Sequence, residues 1–135
     1  MSYEKRGSYN HVSMARQLLR FDNLYFGDNV TPMDVDGLIE WHDKKRVLIE
    51  IKRKGVKMLI GEKLALERMV DDFQKVGKDS VVLVAEHMVF DSKEDVDVAE
   101  CVVREVYFGK EGRWRPPSRI MTVRTALNAF LFNSV

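Results

Sequence analysis

The sequence predicts a mixed α/β fold, a β-sheet flanked by helices, and three observations carry that expectation. Residues 34–41 (Asp-Val-Asp-Gly-Leu-Ile-Glu-Trp) and 46–52 (Arg-Val-Leu-Ile-Glu-Ile-Lys) alternate or run apolar over strand-length spans rich in Val, Ile and Leu. Residues 80–85 (Ser-Val-Val-Leu-Val-Ala) form a continuous apolar run, the pattern of a strand buried on both faces by parallel pairing after a crossover helix. Two further segments place apolar residues at helical spacing: Leu66, Met69, Val70, Phe73 and Val76, then Val123, Ala126, Leu127, Phe130 and Leu131. At 135 residues the chain is expected to form one domain, 1–135, large enough to bury a real core.

Each element follows from local chemistry. Residues 1–9 are polar, and a helix is expected from about Asn10 to Phe21, with Val12, Ala15, Leu18 and Leu19 at helical spacing and Ser8 or Asn10 to cap it. Asp22-Asn23 ends that helix, and Leu24-Tyr25-Phe26 offers a short strand closed by Gly27-Asp28-Asn29. The two strands at 34–41 and 46–52 come next. Arg53-Lys54-Gly55 forms a basic turn leading through Val56–Ile60 into a helix at about Gly61–Val76, with Gly77 as its C-terminal cap. Beyond the buried strand at 80–85, Asp91–Asp95 is an acidic loop, and Val96–Phe108 suggests another strand with Cys101 buried in it. Gly109–Pro117 reads as a Gly-, Arg- and Pro-rich turn, and Thr122 caps a last helix. The expected order is α-β-β-β-α-β-β-α.

Composition excludes several classes. The chain is 45% hydrophobic and 32% charged with no repeat or low-complexity tract, which is a globular composition. No apolar run approaches the roughly 18 residues of a membrane span, and no secretory apolar region opens the sequence. Cys101 stands alone, which excludes a disulfide framework and a cysteine-based zinc site. A soluble, cytoplasmic protein with no membrane partner and no organic cofactor is expected. The net charge of +1 is uninformative, but its distribution is not. Residues 44–63 hold eight Lys or Arg against Glu50 and Glu62, residues 86–105 hold seven acids against Lys93 and Arg104, and residues 110–124 hold five basic residues against Glu111. Such segregation can present a positive face to phosphates in a chain that is neutral overall.

The candidate site lies on the strand pair. His42-Asp43-Lys44-Lys45 is short and polar, as a hairpin loop requires. With side chains alternating between faces, Asp34, Asp36, Leu38 and Glu40 share one face of the first strand, and Leu48, Glu50 and Lys52 share one face of the second. A three-residue loop at 42–44 sets Asp36 opposite Glu50, and one at 43–45 sets it opposite Lys52. Either register gathers carboxylates and an ammonium within an apolar run, where unpaired charge is costly to desolvate. Asp36 and Glu50 suit a hard cation such as Mg²⁺ or Mn²⁺, which one or two carboxylates hold, and the Ile51 carbonyl could add a third oxygen. Lys52 would then orient or deprotonate an attacking water, or stabilise charge developing on a phosphoryl group. An ordinary cross-strand salt-bridge ladder is the competing reading.

The pattern of Asp36 followed fourteen residues on by Glu50-Ile51-Lys52 resembles the PD-(D/E)xK nuclease superfamily, whose fold is restriction-endonuclease-like. The spacing is similar to that of archaeal Holliday-junction resolvases, and Asp36-Gly37-Leu38 is similar to the Asp-Gly-apolar entry of phage-type exonucleases in that superfamily. The family's proline directly precedes its Asp, whereas Pro32 here lies two residues before Asp34. Related resolvases often carry an acid on the first helix, whereas the helix expected at 10–21 has none and offers Asn10, His11 and Gln17. The resemblance implies Mg²⁺-dependent hydrolysis of DNA phosphodiester bonds by a small phage or mobile-element repair or recombination endonuclease. Asp36, Glu50 and Ile51 would hold the metal, with Asp34 as an alternative or supporting ligand and Lys52 assisting the nucleophile. Arg53, Lys54 and Lys57, with Arg113, Trp114, Arg115 and Arg119, would grip the DNA backbone, although Trp114 could equally fold back on the core. A homodimer would be needed to cut both strands. Two other classes remain open: a catalytically inactive nuclease-like module that binds DNA or protein, and an assembly protein whose charged blocks mediate self-association.

Overall fold

The computed structural model describes residues 20–27 and 32–133, and the chain divides into two units, Met1–Met33 and Asp34–Val135. Within the first unit, Arg20 pairs with Asp22 at 2.8 Å, and Asp22–Leu24 forms a single 3-10 turn closed by the Leu24 N–H on the Phe21 carbonyl. The helix expected at 10–21 lies outside the described residues except for Arg20 and Phe21, which are not helical. The strand expected at Leu24–Phe26 is absent, and all three side chains are exposed. Strand propensity expresses packing on a half-buried pleated surface, and three apolar residues without such a surface have nothing to gain from extension.

The second unit is built on a mixed sheet of five strands among the described residues, in the spatial order of the sequence: β1 (Gly37–Trp41), β2 (Lys45–Arg53), β3 (Asp79–His87), β4 (Val102–Phe108) and β5 (Arg113–Arg115). Helix α1 (Ile60–Lys75) connects β2 to β3, and α2 (Val123–Phe132) follows β5. The observed order departs from the expected one in the missing strand at 24–26 and in the added strand β5. Gly109–Gly112 makes the turn on its own, with the Glu111 and Gly112 N–H groups both donating to the Phe108 carbonyl. That leaves Arg113-Trp114-Arg115 free to pair with β4. A run of three alternating residues carries too short a pattern to be recognised as a strand.

β1 and β2 form an antiparallel hairpin that pairs Gly37 with Ile49 and Trp41 with Lys45, so the loop is His42–Lys44. His42 and Asp43 adopt φ of 48° and 57°, the left-handed region in which His, Asn and Asp are the commonest non-glycine residues. β2 and β3 are parallel, as a connection containing a sixteen-residue helix permits, and they stay in register from Lys45 opposite Asp79 to Arg53 opposite His87. α1 ends where Gly77 was expected to end it: Gly77, at φ 85°, donates to Gln74, and the Lys78 N–H donates to Phe73. The Thr122 hydroxyl accepts the Thr125 N–H at 3.2 Å and opens α2.

Alternation along β2 and β3 produces two cores. On one face Leu48, Val82, Val84 and Tyr107 pack with Leu66 and Val70 of α1. On the other Val47, Ile49, Val81, Leu83, Ala85, Val103 and Val106 pack with Cys101 and with Val123, Ala126 and Leu131 of α2. The stripe foreseen on α1 holds for Leu66, Met69 and Val70, while Val76 lies past the helix end and is exposed. Cys101 is buried, one residue ahead of β4. No helix among the described residues is long and apolar enough to cross a membrane. Leu66 has no exposed surface and is a direct measure of the α1 core. Leu66→Ala should cost about 2–5 kcal/mol in urea unfolding, and a cost within about 0.5 kcal/mol of zero, the range of ordinary surface substitutions, would refute that packing.

Candidate metal centre

Glu50 is only 6% exposed, and among the described residues Glu50 and Ser80 are the buried polar side chains. The period of β2 puts Leu48, Glu50 and Lys52 on the α1 face, and Glu50 lies beside Val84 of β3. The antiparallel register, continued one residue beyond Gly37, sets Asp36 opposite Glu50. The first of the two expected registers is therefore the one that forms.

Asp36 stands at a bend immediately before β1. Its Oδ2 accepts the Ile51 N–H at 2.7 Å, and its carboxylate is within hydrogen-bonding reach of Glu50. The N–H and C=O of one strand residue point to the same side, so the Ile51 carbonyl leaves β2 on the Asp36 edge. Lys52 Nζ lies 3.6 Å from Glu50 Oε1. It also donates to both oxygens of Glu62, at 3.1 and 3.0 Å. Asp34, although it shares the parity of Asp36, precedes the bend; it is exposed and makes no hydrogen bond or ion pair among the described residues. Val35 packs against the α1 core, which carries the chain across the sheet edge and delivers Asp36 to the end of β2.

Glu62 was not singled out by its sequence context. It lies in the first turn of α1, where its Oε1 accepts the Leu59 N–H at 3.1 Å and so satisfies a free helix-end donor. The usual signature of this arrangement needs Ser or Thr three residues earlier, and Leu59 conceals it. One sequence signal was present: the basic block 44–63 contains only two acids, Glu50 and Glu62, and both contact Lys52.

The electrostatics express a shortage of positive charge. Burial, and then the neighbouring Asp36 carboxylate, push the Glu50 carboxyl up from 4.5 to about 7, although Lys52 works in the opposite direction. Burial disfavours the Lys52 ammonium, but Glu62 and Glu50 outweigh it and hold its pKa above the ordinary lysine value. Burial likewise opposes the charge on Glu62, and Lys52 together with the Leu59 N–H overcomes it, so the carboxyl titrates below its usual range. Two carboxyl groups in contact, one of them buried, form a hard-oxygen pair that a divalent cation would neutralise. Among the described residues no three His, Cys, Asp or Glu side chains converge as a complete metal cage. The available set is two carboxylates and a backbone carbonyl, which matches the sparse protein ligation of Mg²⁺.

The remaining candidates divide into two groups. Arg53, Lys54 and Lys57 leave the end of β2 that carries Lys52 and are exposed. Arg113, Trp114 and Arg115 are not brought to the carboxylates, and Arg119 lies exposed in the segment between β5 and α2. β5 lies three strands from β2, about 14 Å at ordinary strand spacing. It also pairs with the part of β4 that faces the early residues of β3. Trp114 packs on the α1 face against Tyr107, with ring centroids 5.3 Å apart, and donates its indole N–H to Glu67 at 2.7 Å. Arg115 points to the other face and pairs with Glu111 at 2.6 Å. Nearer the centre, Arg104 pairs with Glu86 and Lys63 with Glu105, around a cleft of about 440 Å³ beside Val56–Met58.

No family model, curated protein or solved structure matches the chain.

The raised Glu50 pKa has a thermodynamic consequence. The folded chain retains a proton that the unfolded chain releases between pH 4.5 and about 7. The contribution of Glu50 to stability is therefore fully present below 4.5 and is lost as pH rises through about 7. In EDTA, raising the pH from 5 to 8 should destabilise the protein by up to about 3 kcal/mol through this group, and Glu50→Gln should remove most of that slope. Urea titrations at several pH values read it directly; equal slopes in parent and variant would show that Glu50 ionises without penalty.

Proposed function

We propose that this protein is a Mg²⁺- or Mn²⁺-dependent nuclease that hydrolyses DNA phosphodiester bonds, of the restriction-endonuclease-like kind that its Asp36 and Glu50-Ile51-Lys52 pattern resembles. One observation carries the reading. A buried Glu50 is in contact with Asp36 at the open end of a hairpin, and Lys52 lies 3.6 Å from the same carboxylate. A simple salt-bridge ladder would pair charges one to one on an exposed face. Here Glu50 and Glu62 share one ammonium in a half-buried recess, and Asp36 adjoins Glu50.

Asp36 and Glu50, with the Ile51 carbonyl, would hold the cation. Bound there, it supplies Lewis-acid polarisation of a phosphoryl oxygen and increases the acidity of a water. The chain supplies the rest. The Ile51 N–H fixes one oxygen of Asp36 and so holds its carboxylate beside Glu50. Glu62 clamps Lys52 at the mouth of the recess and keeps it charged, so its ammonium is positioned before substrate arrives. Charge that develops on the phosphoryl oxygens in the transition state meets a donor that needs no reorganisation. Arg53, Lys54 and Lys57 supply ground-state contacts to backbone phosphates. A homodimer would place two such centres on opposite strands of a duplex.

Calorimetry with Mg²⁺ or Mn²⁺ should show binding that Asp36→Ala and Glu50→Ala abolish. Cleavage of a panel of supercoiled, linear, branched and single-stranded DNA should occur with Mg²⁺ and stop in EDTA. Lys52→Ala should lower the single-turnover rate on the order of 10²–10³ with little change in DNA affinity. Metal binding unaffected by both carboxylate substitutions would reduce the cluster to a salt-bridge ladder.

Glu62 separates positioning from capping. Removing a charge-assisted hydrogen bond costs roughly 1.5–3 kcal/mol, so Glu62→Ala should slow single-turnover cleavage by about 10- to 100-fold while the Kd for DNA holds. Glu62→Gln keeps an acceptor for both Lys52 and the Leu59 N–H and should recover most of the rate. Parental turnover in Glu62→Ala would leave Glu62 as a helix cap alone.

A further inference from the structure

We propose that the rim of the carboxylate recess is a binding surface for unpaired nucleotides, in which Phe90, backed by Arg53, stacks on a base while Lys54 and Lys57 hold the flanking phosphates. The inference rests on the nuclease reading and narrows its substrate class to single-stranded or locally unpaired DNA.

The parallel pairing of β2 and β3 builds the rim. With Lys52 opposite Glu86 and Arg53 opposite His87, both strands end together, and the segments that leave them emerge side by side at the end of the sheet that carries the recess. The Lys54 N–H donates to the His87 carbonyl at 2.9 Å and ties the two exits to each other. One exit runs through Val56 to Leu59 and Ile60 at the start of α1, one turn from Glu62; the other runs through Met88 to Phe90. These segments expose large apolar side chains: Ile60 is 86% exposed, Leu59 70%, Met88 64% and Phe90 62%.

Charge identifies the occupant. Residues 53–61 and 87–90 contain no acid and supply Arg53, Lys54 and Lys57, none of which forms an ion pair among the described residues. The Arg53 guanidinium already lies 5.9 Å from the centre of the Phe90 ring, a cation–π pair that leaves most of the ring open. Apolar and aromatic side chains interleaved with unpaired cations match a polyanion that also offers flat apolar faces. Single-stranded nucleic acid has that chemistry, and its affinity comes from aromatic stacking along a positive track. A duplex conceals its base faces and would leave Phe90, Leu59 and Ile60 without partners. A second copy of this chain docked about a two-fold axis would bring Arg53, Lys54 and Lys57 against themselves.

The test is fluorescence anisotropy in EDTA, so that binding is read without cleavage, with a labelled oligo-dT and a blunt duplex of equal length. The parent should bind oligo-dT at least tenfold more tightly than the duplex, on the order of the stacking contribution of one base or more. Phe90→Ala should weaken oligo-dT binding about tenfold and leave duplex binding unchanged, while Phe90→Tyr should retain parental affinity. Thermal melts of the exposed-site variants confirm that each is folded. Equal affinity for the two ligands, or oligo-dT binding indifferent to Phe90→Ala, overturns the proposal. The arms separate the two readings. Oligo-dT binding that depends on Phe90, without Mg²⁺-dependent cleavage of any DNA, supports this surface and sinks the nuclease reading; Mg²⁺-dependent cleavage with Phe90-independent binding does the reverse.

Discussion

Keeping a carboxylate inside the central strand is the constraint on which this end of the molecule depends. β2 is hydrogen-bonded on both edges, to β1 and to β3, and its middle is buried, so Glu50 has few groups with which to meet its polar demand. Those groups are Asp36, Lys52 and, through Lys52, Glu62. The hairpin register is part of the same arrangement. A slip of one residue in the hairpin would leave β2, fixed against β3, in place and turn Asp36 to the opposite face, away from Glu50. The left-handed residues His42 and Asp43 hold the three-residue loop that prevents it.

Three carboxylates against one ammonium leave an excess of two negative charges when all are ionised. In the chain alone the excess is relieved by a proton retained on Glu50, which is the physical meaning of a carboxyl that titrates near 7. The cluster is therefore short of positive charge, which the Lys52 ammonium only partly supplies. Glu62 does not dilute this property, because its charge is committed to Lys52 and to the first turn of α1. One side chain thus joins the helix to the strand and determines where the ammonium sits.

The linear charge blocks do not become three charged faces. Within 44–63, Arg46 is spent on Glu40, Asp43 and the Phe73 ring, and Lys45 lies against Trp41 and Phe130. Within 86–105, Glu86 and Glu105 neutralise Arg104 and Lys63. Within 110–124, Arg115 is paired with Glu111 and Lys110 with Asp79. The unpaired remainder that borders the recess is the short run Arg53, Lys54 and Lys57, and it coincides with exposed apolar side chains rather than with a purely polar surface.

Local pattern determined the elements whose signal is long and periodic. The hairpin at 34–52, helix α1 with its glycine cap, the buried strand β3 and the Thr122-capped helix α2 were all legible, because alternation, helical spacing and capping chemistry act within a few residues. The company of Glu50 and Lys52 was legible for the same reason, since parity alone puts them on one face. Tertiary structure decided what parity cannot reach. It left 24–26 without a strand, made a strand of 113–115 by offering the edge of β4, and set Arg113–Arg115 three strands from β2. It seated Asp36, and not Asp34, on the Ile51 N–H through a bend that interrupts the alternation both residues shared. It also added Glu62, whose place beside Lys52 depends on how α1 crosses the sheet. A side chain's distance from residues on another element is set by packing between elements, and no period within one element encodes it.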